Sequence, residues 1–283
     1  MNLSTHAFSQ IVKHYKVVFF DAYGVLKNSR GIISGVAETL LWLTRAGHDI
    51  YVVTNDASKS PDAMTQSYVH PEYGSLLSAS RIISSGLLAK DFLRSKVRTG
   101  RVAYLGKPGS AFYIKSAGLE ALPVGSVTPA DGVSALVMLD DEGFDWFGDL
   151  NRALNLIRST NIPVVVANTD ISYPVSGNEI AVAVGGLASM MEMVLEQRFI
   201  RFSKPNTMMF SYAFACACAN DPSVAKSDVL MVGDTLTTDI YGANAFGIDT
   251  ALVLSGNTSA SSAEVQISAS GIVPTYVCES ILT

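Results

Sequence analysis

The chain has 283 residues, of which 20 are basic and 25 acidic, giving a formal net charge of −5. Hydrophobic residues make up 48% and charged residues only 16%, so the composition excludes a disordered chain and favours a sizeable core. The acidic balance argues against a nucleic-acid partner, and no segment has the roughly 20 apolar residues of a membrane span. With a polar N-terminus and only three cysteines, we expect a cytoplasmic protein without membrane partners.

Short apolar strands alternate with helical segments along the chain, which is typical of an α/β fold with a mainly parallel sheet. Five runs of this kind are predicted to be strands buried on both faces. They are Val17–Phe20, Ile50–Val53, Phe199–Phe202, Val229–Val232 and Ala251–Leu254. A Ser- and Ala-rich stretch over 257–269 is expected to be a loop with weak helix.

The stretch between Thr54 and Lys204 is far longer than the roughly dozen residues that a crossover between parallel strands needs. It contains predicted elements of its own. These are strands over 101–105, 135–139 and 164–167, and helices over 85–95 and 146–159. We therefore predict two domains, one made of residues 1–81 and 199–283 and the other of residues 82–198 inserted into it.

Four of the five predicted strands end directly on polar side chains. The residues at these ends are Asp21, Thr54, Ser203 with Lys204, and Asp234. One such residue is often only the cap of the next helix. In open α/β sheets, however, ligands bind at the carboxyl ends of the strands, so four polar ends favour a shared ligand.

The residue types at these ends suit phosphoryl transfer. Asp21 is a carboxylate that can act as a nucleophile, and with Asp234 and Asp239 it makes the hard-oxygen site that Mg²⁺ prefers. Three further residues offer groups that can bind phosphate oxygens. They are the hydroxyl of Thr54, the amide of Asn55 and the positive charge of Lys204. A nucleophile, a metal site and a cation together indicate catalysis by positioning and charge neutralisation.

The order and spacing of these residues resemble the four motifs of the haloacid dehalogenase (HAD) superfamily, and the long insertion resembles its C2-type cap. Several strings also resemble the NagD-like, para-nitrophenyl phosphatase-like subfamily. They are Val53-Thr54-Asn55-Asp56-Ala57-Ser58, Ala167-Asn168-Thr169-Asp170, Lys204-Pro205-Asn206, and Gly233-Asp234 followed by Thr238-Asp239. The resemblance implies a Rossmann-like HAD core with a parallel sheet and an inserted α/β C2-type cap domain.

The same resemblance implies a Mg²⁺-dependent phosphatase that acts on a small phosphorylated metabolite, such as a sugar phosphate, through an aspartyl-phosphate on Asp21. The metal would be held by Asp21, the Tyr23 backbone carbonyl, Asp234 and Asp239. The phosphoryl group would be bound by Thr54, Asn55 and Lys204. In the cap, Asn168 and Asp170 are candidates for contacting the leaving group of the substrate. The alternative is that they form only a local Asx turn at a strand end. The low charge content favours apolar surface for a homodimer interface.

Tyr23 departs from the pattern, because phosphatases of this superfamily carry a second aspartate at this position, which protonates the leaving oxygen and activates water. A phenol has an ordinary pKa near 10, against about 3.9 for aspartate, so Tyr23 is a poor base at neutral pH. Acid–base help is worth roughly 10²–10⁴ in rate, so we expect slow hydrolysis.

Two alternatives stay open at this point. Asp-x-Tyr-Gly also resembles the first motif of the metal-independent 2-haloacid dehalogenases, although Asp234 and Asp239 argue against that class. A catalytically weak protein that binds a phosphorylated metabolite is the other alternative.

Two further strings bear on the lysine motif. Gly106-Lys107-Pro108-Gly109 looks similar to it, but no Gly-Asp loop follows Lys107 at the spacing seen after Lys204. We therefore predict that Lys107 lies in a turn of the inserted domain. Ser203 stands where the subfamily usually has glycine, and we expect this to alter the loop more than the chemistry.

Overall fold

The structure, a computed structural model, describes residues 4–176 and 179–282; at positions 129, 174 and 176 it describes the backbone alone. The chain divides into two compact units. The first comprises residues 1–54, 61–83 and 204–283, and the second comprises residues 55–60 and 84–203. None of the helices in the described part of the chain has the length and hydrophobicity that crossing a membrane requires.

A six-stranded sheet forms the centre of the first unit. Its strands are β1 (Val17–Phe20), β4 (Asp49–Thr54), β7 (Ile82–Ser84), β15 (Val229–Gly233), β16 (Asp249–Val253) and β17 (Tyr276–Cys278). Their spatial order is β17-β16-β15-β1-β4-β7, and the neighbours from β17 to β4 run parallel. The predicted α/β fold with a parallel sheet is confirmed. The strands β7 and β17 were not predicted, because three residues are too few to show a pattern.

Helices and two small hairpins complete the first unit. The helices are α1 (Phe8–Ile11), α2 (Val36–Arg45), α3 (Pro61–Thr65), α8 (Thr207–Asn220), α9 (Tyr241–Phe246) and α10 (Ala263–Ser270). The hairpins are β2 (Lys27–Asn28) with β3 (Gly31–Ile32), and β5 (Val69–His70) with β6 (Gly74–Ser75). In α2, Val36, Leu40 and Leu43 share one helical face and are buried in the same core cluster as Val18 and Phe20 of β1.

The second unit has its own five-stranded sheet. Its strands are β8 (Arg101–Leu105), β9 (Glu120–Pro123), β10 (Ala135–Met138), β11 (Val164–Val166) and β14 (Ile200–Arg201). The order is β14-β11-β10-β8-β9, with every pair parallel. Around it lie α4 (Ser85–Phe92), α5 (Phe112–Lys115), α6 (Trp146–Thr160), α7 (Val184–Leu195) and the antiparallel pair β12 (Ser172–Ser176) and β13 (Glu179–Val182).

The strand predicted over Phe199–Phe202 is shorter than expected and belongs to the second sheet, where Ile200 pairs with Val165. Placing it with the first sheet was wrong. The physical reason is the carboxylate of Glu192 in α7, which accepts the Phe199 N–H at 2.6 Å and pairs with Arg201 at 2.7 Å. These contacts tie the segment to the second unit. The assignment of residues 82–198 as a cap stays a prediction.

Candidate active site

Asp21, Thr54 and Asp234 lie at the carboxyl ends of three neighbouring strands. In the parallel pairing of β1 with β15, Phe20 is opposite Val232, and the Asp21 N–H donates to the Val232 carbonyl at 2.9 Å. On the other side of β1, β4 ends at Thr54, which is buried. Because parallel strands end at the same edge, the register brings these polar residues to one place.

Asp234 is held in place by close backbone contacts and by hydrogen bonds to both carboxylate oxygens. A Cβ at Gly24 or Gly256 would collide with its carboxylate, so both positions require glycine for this close approach. One carboxylate oxygen accepts the Asn257 N–H at 2.7 Å, and the other accepts the Thr235 hydroxyl at 2.8 Å. The Asn257 side-chain amide donates to the Thr235 hydroxyl at 2.9 Å, which completes the clamp.

Sequence reasoning missed Asn257, because it begins the Ser- and Ala-rich stretch that we predicted to be a loop with weak helix. The signal was present, since Ser255-Gly256-Asn257 directly follows the fifth predicted apolar run. The strand-end rule that selected Asp21 and Asp234 would have selected Asn257 as well.

Asp239 lies in a single π-helical turn, Leu236–Ile240, and is buried. A Cβ at Gly233 would collide with the Asp239 side chain, so this close approach requires glycine at the end of β15. One carboxylate oxygen accepts the Thr235 N–H at 3.1 Å. The other oxygen faces the ammonium group of Lys204 at 2.7 Å.

Lys204 bridges two of the carboxylates. Its Nζ lies 2.6 Å from Asp21 Oδ1 and 2.7 Å from Asp239 Oδ1, and the side chain is 2% exposed. Burial alone would lower the pKa of Lys204, but the charges of Asp21 and Asp239 raise it above its usual range. The ammonium therefore stays charged next to the Asp21 carboxylate.

Asp21, Asp234 and Asp239 each offer an oxygen within 4.8 Å of the others, the only such set among the residues that the structure describes. Burial raises the pKa of Asp234 and Asp239, and the charge of Asp21 adds to both shifts. Three carboxylates and one ammonium carry a formal charge of about −2. A divalent cation would neutralise that charge, and hard carboxylate oxygens fit Mg²⁺.

Tyr23 follows Asp21 in a tight loop whose backbone is bonded on both sides. The Gly24 N–H donates to the Lys27 carbonyl at 2.8 Å, and the Ser255 hydroxyl donates to the Gly24 carbonyl at 3.0 Å. These bonds fix the peptide beside the Tyr23 carbonyl, the group predicted as a metal ligand. Hydrogen bonds of the neighbouring Gly24 backbone therefore help to hold this position.

The other predicted site residues belong to the second unit. There the Asn55 side-chain amide donates to an Asp170 carboxylate oxygen at 2.9 Å, and the Asn168 side chain accepts the Asp170 N–H at 2.9 Å. The second contact is the Asx turn that we considered as the alternative to a substrate contact. Lys107 also lies in this unit, two positions after the end of β8, where it pairs with Glu142 at 2.8 Å.

A partly buried carboxylate beside a buried lysine and two buried carboxylates, at the ends of parallel strands, suits a hydrolase of the α/β class. Comparison with known proteins gives the family. Residues 18–120 match the haloacid dehalogenase-like hydrolases, and residues 201–283 match a HAD-hydrolase-like family. The chain belongs to the haloacid dehalogenase-like hydrolase family and is a phosphatase-like hydrolase.

Three similar proteins illustrate the relationship. A solved structure of a possible sugar phosphatase of the HAD superfamily from Cytophaga hutchinsonii is 46% identical, with a TM-score of 0.94, over 100% of this chain and 99% of that chain. Chronophin of Mus musculus is 30% identical over 93% of this chain and 90% of its own length. Glycerol-3-phosphate phosphatase of Gallus gallus is 27% identical over 96% of this chain and 91% of its own length.

Proposed function

We propose that the protein hydrolyses the monoester of a small phosphorylated metabolite, such as a sugar phosphate or glycerol phosphate, with Mg²⁺ as cofactor. The observation that carries the proposal is Lys204 held between Asp21 and Asp239 beside Asp234. It brings together the proposed nucleophile, which is partly exposed, with a buried cation and the carboxylates proposed as metal ligands. The substrate class is supported by two relatives, one named a possible sugar phosphatase and one named a glycerol-3-phosphate phosphatase.

The Asp21 carboxylate attacks phosphorus, so that a new O–P bond forms while the bond to the leaving oxygen breaks with its electron pair. Lys204 neutralises negative charge on Asp21 and on the incoming phosphoryl group. Water then attacks the aspartyl-phosphate, releases inorganic phosphate and restores the carboxylate. Thr54 and Asn55 are proposed to donate hydrogen bonds to phosphate oxygens.

The residues that would hold Mg²⁺ are Asp21, Asp234 and the Tyr23 backbone carbonyl. Asp239 is engaged by Lys204 and by the Thr235 N–H, so it is assigned to hold the lysine and support the site. When bound, the metal neutralises charge on the phosphoryl oxygens as a Lewis acid.

The leaving oxygen needs a proton, and Tyr23 offers a phenol O–H in place of a carboxylic acid. Tyr23 supplies no carboxylate to activate the attacking water, so this step is the weaker half of the cycle. We therefore propose slow turnover. Asn168 and Asp170 are proposed to contact the leaving group from the second unit.

The test is a panel of sugar phosphates, glycerol phosphates and other phosphate esters, with Mg²⁺ and with chelator. We expect Mg²⁺-dependent phosphate release from at least one ester, loss of release in Asp21→Asn, and no change in the control Asp91→Asn, a surface carboxylate paired with Arg94. Halide release from 2-haloacids without metal would instead establish the dehalogenase alternative. Saturable binding of a phosphate ester without any turnover would establish a binding protein.

A further inference from the structure

Two of the peptide bonds that join the units lie beside residues assigned to phosphate binding. One follows Thr54 and leads to Asn55, and the other precedes Lys204 and comes from Ser203. Asn55 and Ser203 are the second-unit residues at these junctions. Both of their side chains are hydrogen-bonded to the same short loop, residues 168–170, which follows β11. The function proposed above does not use this arrangement.

Ser203 makes two hydrogen bonds at the second junction. The Ser203 hydroxyl accepts the Thr169 N–H at 2.9 Å and donates to the Thr169 hydroxyl at 2.7 Å. Ser203 is 1% exposed, so both bonds are shielded from water. A glycine at this position would remove both bonds at once.

The bonds at the first junction hold Asn55 on two sides. Its side-chain amide donates to Asp170 at 2.9 Å, while its backbone carbonyl accepts the Ser85 hydroxyl at 2.9 Å. Asn55 is 4% exposed. The Asx turn that Asn168 makes with the Asp170 N–H gives the loop a defined shape, so one ordered loop holds both junction residues.

We infer that the loop 168–170 is a positioning element for the phosphate-binding pair, and that Ser203 is a positioning residue for Lys204. The inference rests on the proposed function, in which Thr54 and Lys204 bind the phosphoryl group. A peptide bond is planar and stiff, so a shift of Ser203 is passed to Lys204, and a shift of Asn55 is passed back to Thr54. A phosphate group that fixes Thr54 and Lys204 therefore also orders the loop through the two junction peptides.

The first experiment measures amide hydrogen exchange at Thr169 with and without inorganic phosphate, in the presence of Mg²⁺. We expect phosphate to slow this exchange at least threefold in the natural protein. Ser203→Ala should abolish the response, and Ser203→Thr, which keeps the hydroxyl, should retain it. The control Ser126→Ala removes an exposed hydroxyl of the same unit that bonds only locally, to the Pro123 carbonyl, and should respond as the natural protein does.

A second measurement separates positioning from stability alone. Thr169→Val, which removes one neutral hydrogen bond, should raise KM for the best phosphate ester roughly three- to tenfold. Ser203→Ala, which removes two, should raise KM at least as much, and kcat should change less than twofold in both variants. A purely structural contact would lower Tm and leave KM unchanged at a temperature where the variants are folded.

The outcomes distinguish this inference from the proposed function. Ester hydrolysis without any exchange response at Thr169, or a response that persists in Ser203→Ala, overturns the inference and leaves the function intact. An exchange response to phosphate in a protein that hydrolyses no ester supports the inference and overturns the function. A protein whose Thr169 exchange ignores phosphate and which hydrolyses no ester overturns both.

Discussion

The two units share an architecture, yet their lysines have different surroundings. Both are parallel α/β sheets, and in both a Lys-Pro string follows a strand. Lys204 is 2% exposed between two carboxylates, whereas Lys107 is 43% exposed and pairs with Glu142, itself 59% exposed. A solvated pair of this kind contributes little, while a buried lysine between acids creates a strong local field. The same Lys-Pro string is therefore a candidate for catalysis only where the lysine is buried between carboxylates.

The acidic residues differ in the same way. Asp21 follows β1, whereas Asp234 and Asp239 lie in the segment after β15, and the three carboxylates converge within 4.8 Å. In the second unit, Asp140, Asp141 and Glu142 follow one another shortly after β10, and they are not among the residues grouped as a possible metal site. Tyr173 donates to Asp141 at 3.0 Å, and Lys107 holds Glu142, so two of these side chains have other partners. Convergence of carboxylates from two strand ends, and not local acidity, distinguishes the proposed metal site.

The largest effect is expected from restoring the missing acid–base group in the first unit. Tyr23→Asp should raise the Mg²⁺-dependent rate of phosphate release, by up to about 10²–10⁴, if only this group limits turnover. Steady-state kinetics on the best ester measures the gain. An unchanged rate in a folded variant that still binds Mg²⁺ would show that something else limits the site.

Replacing each of the two lysines by methionine tests the comparison directly. Lys204→Met should lower kcat/KM by about 10²–10³, the cost of removing a fixed group that stabilises transition-state charge. Lys107→Met is the matched control and should stay within about twofold, as expected for a solvated pair. Equal losses in both variants would contradict the assignment of the two roles.

A smaller effect is expected for the clamp on the metal-site carboxylate. Asn257→Ala removes the side-chain amide that holds Thr235 against Asp234 and should weaken Mg²⁺ affinity by about 10–100-fold. Isothermal titration with Mg²⁺ measures it without turnover. The control Asn151→Ala removes an exposed amide of α6 that bonds to its own helix. If Asn257→Ala binds Mg²⁺ as tightly as the natural protein, the Asn257 side chain does not help to orient Asp234.

The smallest effect concerns pH and the second unit. Burial raises the pKa of the Asp140 carboxyl, partly offset by Lys107. A folded-state pKa above the unfolded value, near 4, means that the folded state binds more protons, so this group lowers stability as pH rises past that value. In thermal melts, Asp140→Asn should therefore gain Tm relative to the natural protein at pH 7 but not at pH 4. An equal difference at both pH values would refute this.

Much of the first unit could be predicted, because buried parallel strands leave continuous apolar runs in the sequence. Four of its strands and the strand-end residues Asp21, Thr54 and Asp234 follow from that pattern. Asn257 was missed because its stretch is rich in serine and alanine, although the strand before it was recognised. The contact between Ser203 and Thr169 had no signal, since 34 positions separate the two residues.

The sequence by itself determined which segments become strands and which polar residues stand at their ends, because these depend on local backbone preference and on the spacing of apolar side chains. Only the tertiary structure decided which sheet the strand Ile200–Arg201 joins, which lysine is buried, and what the unusual Ser203 binds. Those choices depend on partners far apart in the chain, where pairing and burial outweigh any local pattern.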